Sequence, residues 1–148
     1  MAKEIGKVGV VGLGTMGAGI AQISVQSGFE TVGREVSTDL AERGRETISR
    51  YLTRGVEKRR LSQHELEAAL GRLSLTTELE ELADCDLVIE AIVEELGPKQ
   101  ELFATLEGIV APNAVLATNT SALSVSEIAA ATEEPPYDRA ATLWQRQA

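Results

Sequence analysis

A short β-branched strand pattern, Ile5 to Val11, runs into Gly12-Leu13-Gly14-Thr15-Met16-Gly17, and an uncharged helical stretch follows. Three glycines at this G-x-G-x-x-G spacing, between a strand and a helix, serve a known purpose. Gly12 permits a tight turn, Gly14 removes the Cβ that would block a pyrophosphate, and Gly17 lets helix and strand pack closely. The helix N-terminus beyond them offers N–H groups and a positive dipole end to phosphates. The context predicts a βαβ unit that binds a dinucleotide. A glycine turn with no ligand is the plainer alternative.

The rest of the chain repeats the alternation of strand and helix. Gly19 to Ser27 reads as a helix with Ile20 and Ile23 inward and Gly28 ending it. Thr31 to Glu35 reads as a strand. Thr38 to Val56 reads as a long amphipathic helix. Ser62 and Glu65 form a capping box for a helix through Leu70, and Leu73 to Thr76 is a short strand. Asp86 to Val93 is a nearly continuous apolar run, interrupted only by Glu90, which suits a strand covered on both faces. A helix from Lys99 to Val110, stopped by Pro112, and a strand from Val115 to Thr118 come next. Ser124 and Glu127 form a second capping box, for a helix through Ala131. The order predicts an α/β, Rossmann-type, doubly wound and mostly parallel sheet. Residues 1–134 form this domain, and residues 135–148 read as an irregular tail.

Composition narrows the function classes. Fourteen Lys and Arg stand against 23 Asp and Glu, a net charge of −9, which argues against a general nucleic-acid binder and against docking on anionic lipid. The uncharged stretch from Val8 to Phe29 is too rich in Gly and polar residues for a signal or membrane segment. The single cysteine, Cys85, excludes a disulfide framework and a cysteine-rich zinc site, the single histidine, His64, excludes any site that needs two imidazoles, and no metal is expected. The expected location is the cytoplasm. Glu35, at the end of the second strand and about 20 residues past the loop, is the candidate acceptor for the ribose hydroxyls. A carboxylate there favours NAD over NADP, whose 2′-phosphate it repels. The alternative is an ordinary solvated side chain.

With Gly12-Leu13-Gly14-Thr15-Met16-Gly17-Ala18-Gly19-Ile20-Ala21, the segment Asp86 to Glu94 with Lys99 following, and Asn119-Thr120-Ser121, the chain resembles the L-3-hydroxyacyl-CoA dehydrogenase family. The similarity runs from about Lys7 to Thr132 and covers that family's N-terminal nucleotide-binding domain. It implies an NAD cofactor held by Gly12, Leu13, Gly14, Thr15, Met16, Gly17 and Glu35. It also implies that Ala91, Glu94, Lys99 and Asn119 belong to the cofactor site, on the nicotinamide side. Ser121 would meet the 3-oxygen of the substrate, and Lys58 the phosphates of an acyl-CoA. Both keep a plainer reading: Ser121 as a local turn cap, and Lys58 as part of the solvated basic helix end Lys58-Arg59-Arg60.

Three departures from the family pattern stand out. Gly33 and Glu35 replace a bulky residue and the commoner Asp, and Ala122 replaces a second Ser. No His follows His64, so the family's Gly-x-His-Phe-Phe-Asn-Pro strand, with its catalytic base, has no counterpart here. The resemblance therefore implies no catalytic residue in these 148 residues, and a fragment without dehydrogenase activity alone. A stand-alone NAD-binding module and a β-hydroxyacid dehydrogenase fragment are the competing readings. The sheet is expected to lack its last strand and the family's helical C-terminal domain. Val115 to Thr118 would then be an open edge prone to self-association, with Ala140 to Leu143 as the only segment able to cover it.

Overall fold

The computed structural model describes residues 4–120, residue 127 and residues 140–142. Six parallel strands form one sheet: β1 (Lys7–Val11), β2 (Glu30–Arg34), β3 (Leu73–Thr76), β4 (Leu87–Glu90), β5 (Val115–Thr118) and β6 (Ala140–Thr142). Their order is β3-β2-β1-β4-β5-β6, so the chain runs outward from β1 in one direction, returns, and runs outward in the other. That doubly wound order leaves a crevice beyond the carboxyl ends of β1 and β4, where direction reverses.

The open edge expected at Val115 to Thr118 is not there. Leu116, Ala117 and Thr118 pair with Ala140, Ala141 and Thr142 in parallel register. The candidate segment does supply a last strand, inside the stretch read as an irregular tail. Three residues of backbone ladder cover β5 from Leu116 to Thr118, which removes the ground for expecting self-association there.

Four helices connect the strands: α1 (Thr15–Gln26), α2 (Thr38–Glu57), α3 (Gln63–Gly71) and α4 (Leu96–Glu107). The capping box of α3 forms as expected, with Ser62 accepting from the Glu65 N–H and Glu65 accepting from the Ser62 N–H. Other boundaries shift. α1 begins at Thr15 because the glycine loop itself supplies the first turn. α4 begins at Leu96 rather than Lys99, since Pro98 is tolerated in a first turn whose N–H groups lack helical partners. It ends at Gly108, before Pro112 is reached. β4 stops at Glu90, which leaves Val93 exposed rather than buried in a strand.

Successive strand residues point to opposite faces and feed two cores. Val10, Ile89 and Ala117 join Leu13, Ile48 and Leu52 under α1 and α2. Val11, Val88 and Leu116 join Phe103 and Leu106 on the α4 face. Both faces are covered, which is why β4 reads as a continuous apolar run. α1 approaches through small residues, Gly17, Ala18, Ala21 and Ser24, with Val25. Its larger Met16 and Ile23 are exposed instead. Ile23 therefore faces away from the core it was expected to enter. The second capping box (Ser124, Glu127) and its helix to Ala131 lie outside the described residues except for Glu127.

Candidate dinucleotide site

The turn after β1 is held by close backbone approach. Gly12 has φ +94°, a conformation that L side chains rarely adopt, and a Cβ there would lie 2.6 Å from the Ala91 carbonyl oxygen. A Cβ on Gly17 would lie 1.7 Å from the Gly12 carbonyl oxygen. Gly14 is different, because a Cβ there would meet no protein atom within 4 Å. No packing partner accounts for the missing side chain at Gly14, and its place at the N-cap of α1 leaves room for a ligand to approach the backbone. No side chain caps α1. Thr15 and Met16 are exposed on its first turn. These features fit a pyrophosphate at the helix N-terminus.

Leu13 points the other way, into the core, and is almost fully buried. Cβ atoms on Gly33 and Gly44 would come within 2.8 and 2.6 Å of its side chain. The glycine that departs from the family pattern at position 33 thus makes room for this leucine. The Leu13 N–H donates to Glu35 Oε1 at 2.7 Å, and the Val36 N–H donates to Oε2 at 3.2 Å. Glu35 is fixed at the tip of β2, beside the loop, and partly exposed. The longer side chain in place of Asp still reaches the loop backbone.

On the other side of the loop lies a charged network. Ala91 donates its N–H to the Val11 carbonyl and lies next to Gly12 and Gly17. Lys99 is 1% exposed, and its Nζ lies 2.6 Å from Glu90 Oε2 and 2.9 Å from Glu94 Oε1. Thr120 Oγ1 donates to Glu94 Oε2 at 2.8 Å. Asn119 donates its N–H to the Glu90 carbonyl and lines an apolar cavity of about 500 Å³ with Thr15, Met16, Ile20, Ile23 and Leu87.

The structure thus brings Gly12 to Gly17, Glu35, Ala91, Glu94, Lys99 and Asn119 around one loop. Lys58 is not among them. It is exposed at the C-cap of α2, whose 20 residues span about 30 Å from the end nearest Glu35. Ser121 and Ala122 lie outside the described residues. Sequence reasoning passed over Glu90 and Thr118. A single carboxylate closing an apolar strand marks Glu90 as unusual but does not name its partners, which come from other elements.

The remaining reactive side chains lie away from the loop or are buried. His64 is exposed on α3. Cys85 is buried, and burial pushes its thiol pKa up to about 11. At the far end of β1, hydrogen bonding to Asp84 raises the Lys7 pKa and lowers that of Asp84. Among the described residues no cluster of His, Cys, Asp and Glu is arranged to hold a metal ion. No described helix is long and apolar enough to cross a membrane.

The family model for the 3-hydroxyacyl-CoA dehydrogenase NAD-binding domain matches residues 7–141. The chain belongs to this family. Its members bind NAD, the dinucleotide that the loop and Glu35 fit. The match extends into β6, as far as Ala141, within the stretch that reads from sequence as unlike the family. Among curated proteins, the 3-hydroxybutyryl-CoA dehydrogenase of Mycobacterium tuberculosis is 44% identical over 136 residues, 91% of this chain and 48% of that protein. The crystal structure of M. tuberculosis FadB2 superposes with a TM-score of 0.90 at 42% identity, covering 94% of this chain and 49% of that one. A 3-hydroxybutyryl-CoA dehydrogenase from Escherichia coli gives a TM-score of 0.88 at 36% identity, over 95% of this chain and 29% of that one. The chain spans about half the length of these curated 3-hydroxybutyryl-CoA dehydrogenases.

Proposed function

We propose that this chain is the dinucleotide-binding half of an NAD-dependent dehydrogenase that oxidises L-3-hydroxyacyl-CoA to 3-oxoacyl-CoA, in fatty acid or butanoate metabolism. The observation that carries the reading is the pairing of an open Gly14 with a fixed Glu35 on one side of the loop and Glu94 with Lys99 on the other. Gly12 to Gly17 present backbone N–H groups to the pyrophosphate. The Glu35 carboxylate accepts from the adenosine ribose hydroxyls and repels a 2′-phosphate. Ala91, Glu94, Lys99 and Asn119 line the nicotinamide side. NAD, when bound, supplies the hydride acceptor. Ser121 orients the 3-oxygen of the substrate, and Lys58 meets the phosphates of coenzyme A. The acyl-CoA assignment is supported by the relatives' names, and the proposed location is the cytoplasm.

Titration of the purified chain with NAD and NADP tests the core of this reading. NAD should bind more tightly, and equal or tighter binding of NADP would remove Glu35 from its role. The proton removed from the hydroxyl needs a positioned base, which typically contributes about 100- to 10,000-fold in rate. His64 is the only histidine in these 148 residues and is exposed on α3. This favours binding without turnover by the chain alone. NADH oxidation with acetoacetyl-CoA should therefore run far below an ordinary turnover of about 10 per second. A rate within tenfold of that value would contradict the assignment of no catalytic residue.

A further inference from the structure

Glu90 is 0% exposed, yet it is a carboxylate at the last position of a central strand. A buried charge persists only when paired and hydrogen-bonded. Here Oε2 accepts from Lys99 Nζ at 2.6 Å and from the Ile92 N–H at 2.9 Å, and Oε1 accepts from Thr118 Oγ1. Thr118 sits opposite Glu90 in the β4–β5 register. One side chain therefore ties together the ends of two strands, the turn that follows β4, and α4.

Lys99 has three N–H donors, and each has an acceptor: Glu90, Glu94, and the Ile92 carbonyl at 3.4 Å. The ammonium is buried between two carboxylates, and only Glu94 of the three charged groups reaches solvent, with a side chain 47% exposed. Thr120, whose N–H donates to Thr118 Oγ1, holds the other oxygen of Glu94. Both of these links to Glu94 lead back to Glu90, one through Lys99 and one through Thr120 and Thr118.

We propose that Glu90 is a positioning residue for the nicotinamide half of the dinucleotide. It holds Lys99 as a buried strut, and the strut sets the orientation of Glu94 beside the loop. The inference rests on the NAD reading above. It gives Glu90 an indirect part, acting through Lys99 on Glu94.

The test compares NADH with ADP, which carries the adenine half alone. In Glu90→Gln the charge that holds the ammonium is gone, while the size is kept. NADH affinity should fall about tenfold, as expected for a lost charge-assisted hydrogen bond, and ADP affinity should stay within about twofold. An equal loss for both nucleotides would show a merely structural role and overturn the inference. No loss for either would overturn it as well. If thermal melting shows that Glu90→Gln does not fold, Thr118→Val and Thr118→Ser decide. Val removes the hydroxyl that holds Glu90 and should cost about threefold in NADH affinity alone; Ser keeps the hydroxyl and should match the wild type. Wild-type affinity in Thr118→Val would overturn the inference. A wild-type chain that binds neither nucleotide would overturn the NAD reading itself, and this inference with it.

Discussion

At Gly17 the limit is space, since an added Cβ would fall 1.7 Å from a backbone oxygen. At Lys99 the limit is charge, since one ammonium is shared by two carboxylates in a site almost closed to water. The adenine side of the loop is thus shaped by absent side chains and backbone N–H groups. The nicotinamide side is shaped by long polar side chains that support one another. The first has no room for an added atom at Gly12 or Gly17, and its one carboxylate, Glu35, is held by the loop backbone. The second keeps its volume under isosteric change and fails when its charges are unbalanced. On the NAD reading proposed above, one ligand spans both, so each side should be separable by the kind of damage it suffers.

The largest effect is expected on the charged side. Lys99→Met leaves Glu90 buried without its cation and should cost about 3–5 kcal/mol of stability, read by urea unfolding. The pair Glu90→Gln with Lys99→Met should recover most of that loss. A single variant as stable as the wild type would mean that the pair is not buried in solution. On the steric side, Gly17→Ala should cost about 3 kcal/mol through overpacking and abolish NAD binding in a nucleotide titration. No second substitution of charge should restore it.

A smaller effect concerns the floor beneath both sides. Cys85 packs against Gly9 of β1, and its thiol pKa is raised from 9.0 to about 11. Between those values the unfolded chain has lost the thiol proton and the folded chain has kept it. Stability is full below pH 9 and should fall by about 2 kcal/mol as pH rises toward 11. Cys85→Ala should flatten that slope in unfolding curves taken across this range. The smallest stability effect is expected for Gly14→Ala, within about 0.5 kcal/mol, because the new Cβ meets no protein atom. The same variant should lose about tenfold in NAD affinity. Normal binding by Gly14→Ala would mean that the open space beside the loop holds no phosphate.

The steric side was legible in the sequence because glycine spacing between strand and helix has few other uses. Glu35 was legible for the same reason, as a carboxylate at a fixed distance from the loop. Glu90 was not, because a residue that breaks an apolar run carries no mark of its partners, and Lys99 and Thr118 come from other elements. Leu13 in its socket was also hidden, since Gly33 reads as a weak point in a strand until Leu13 is seen filling its space. β6 was undervalued for its length. Three residues of parallel ladder leave almost no periodic pattern, yet they are enough to pair with β5. Ile23 shows the reverse error: its spacing suited a buried stripe, but α1 packs through Gly17, Ala18 and Ala21, and the larger side chain turns outward.

The central claim is that one dinucleotide lies across two differently built halves of a single site. An amide NMR titration of the wild-type chain with NAD tests it most directly. The account predicts shifts at Gly12 to Gly17, at Glu35 and Val36, and at Ala91 to Lys99, all saturating together, with Lys58 to Arg60 unmoved. Shifts confined to one half, or two groups of residues saturating at different NAD concentrations, would contradict it.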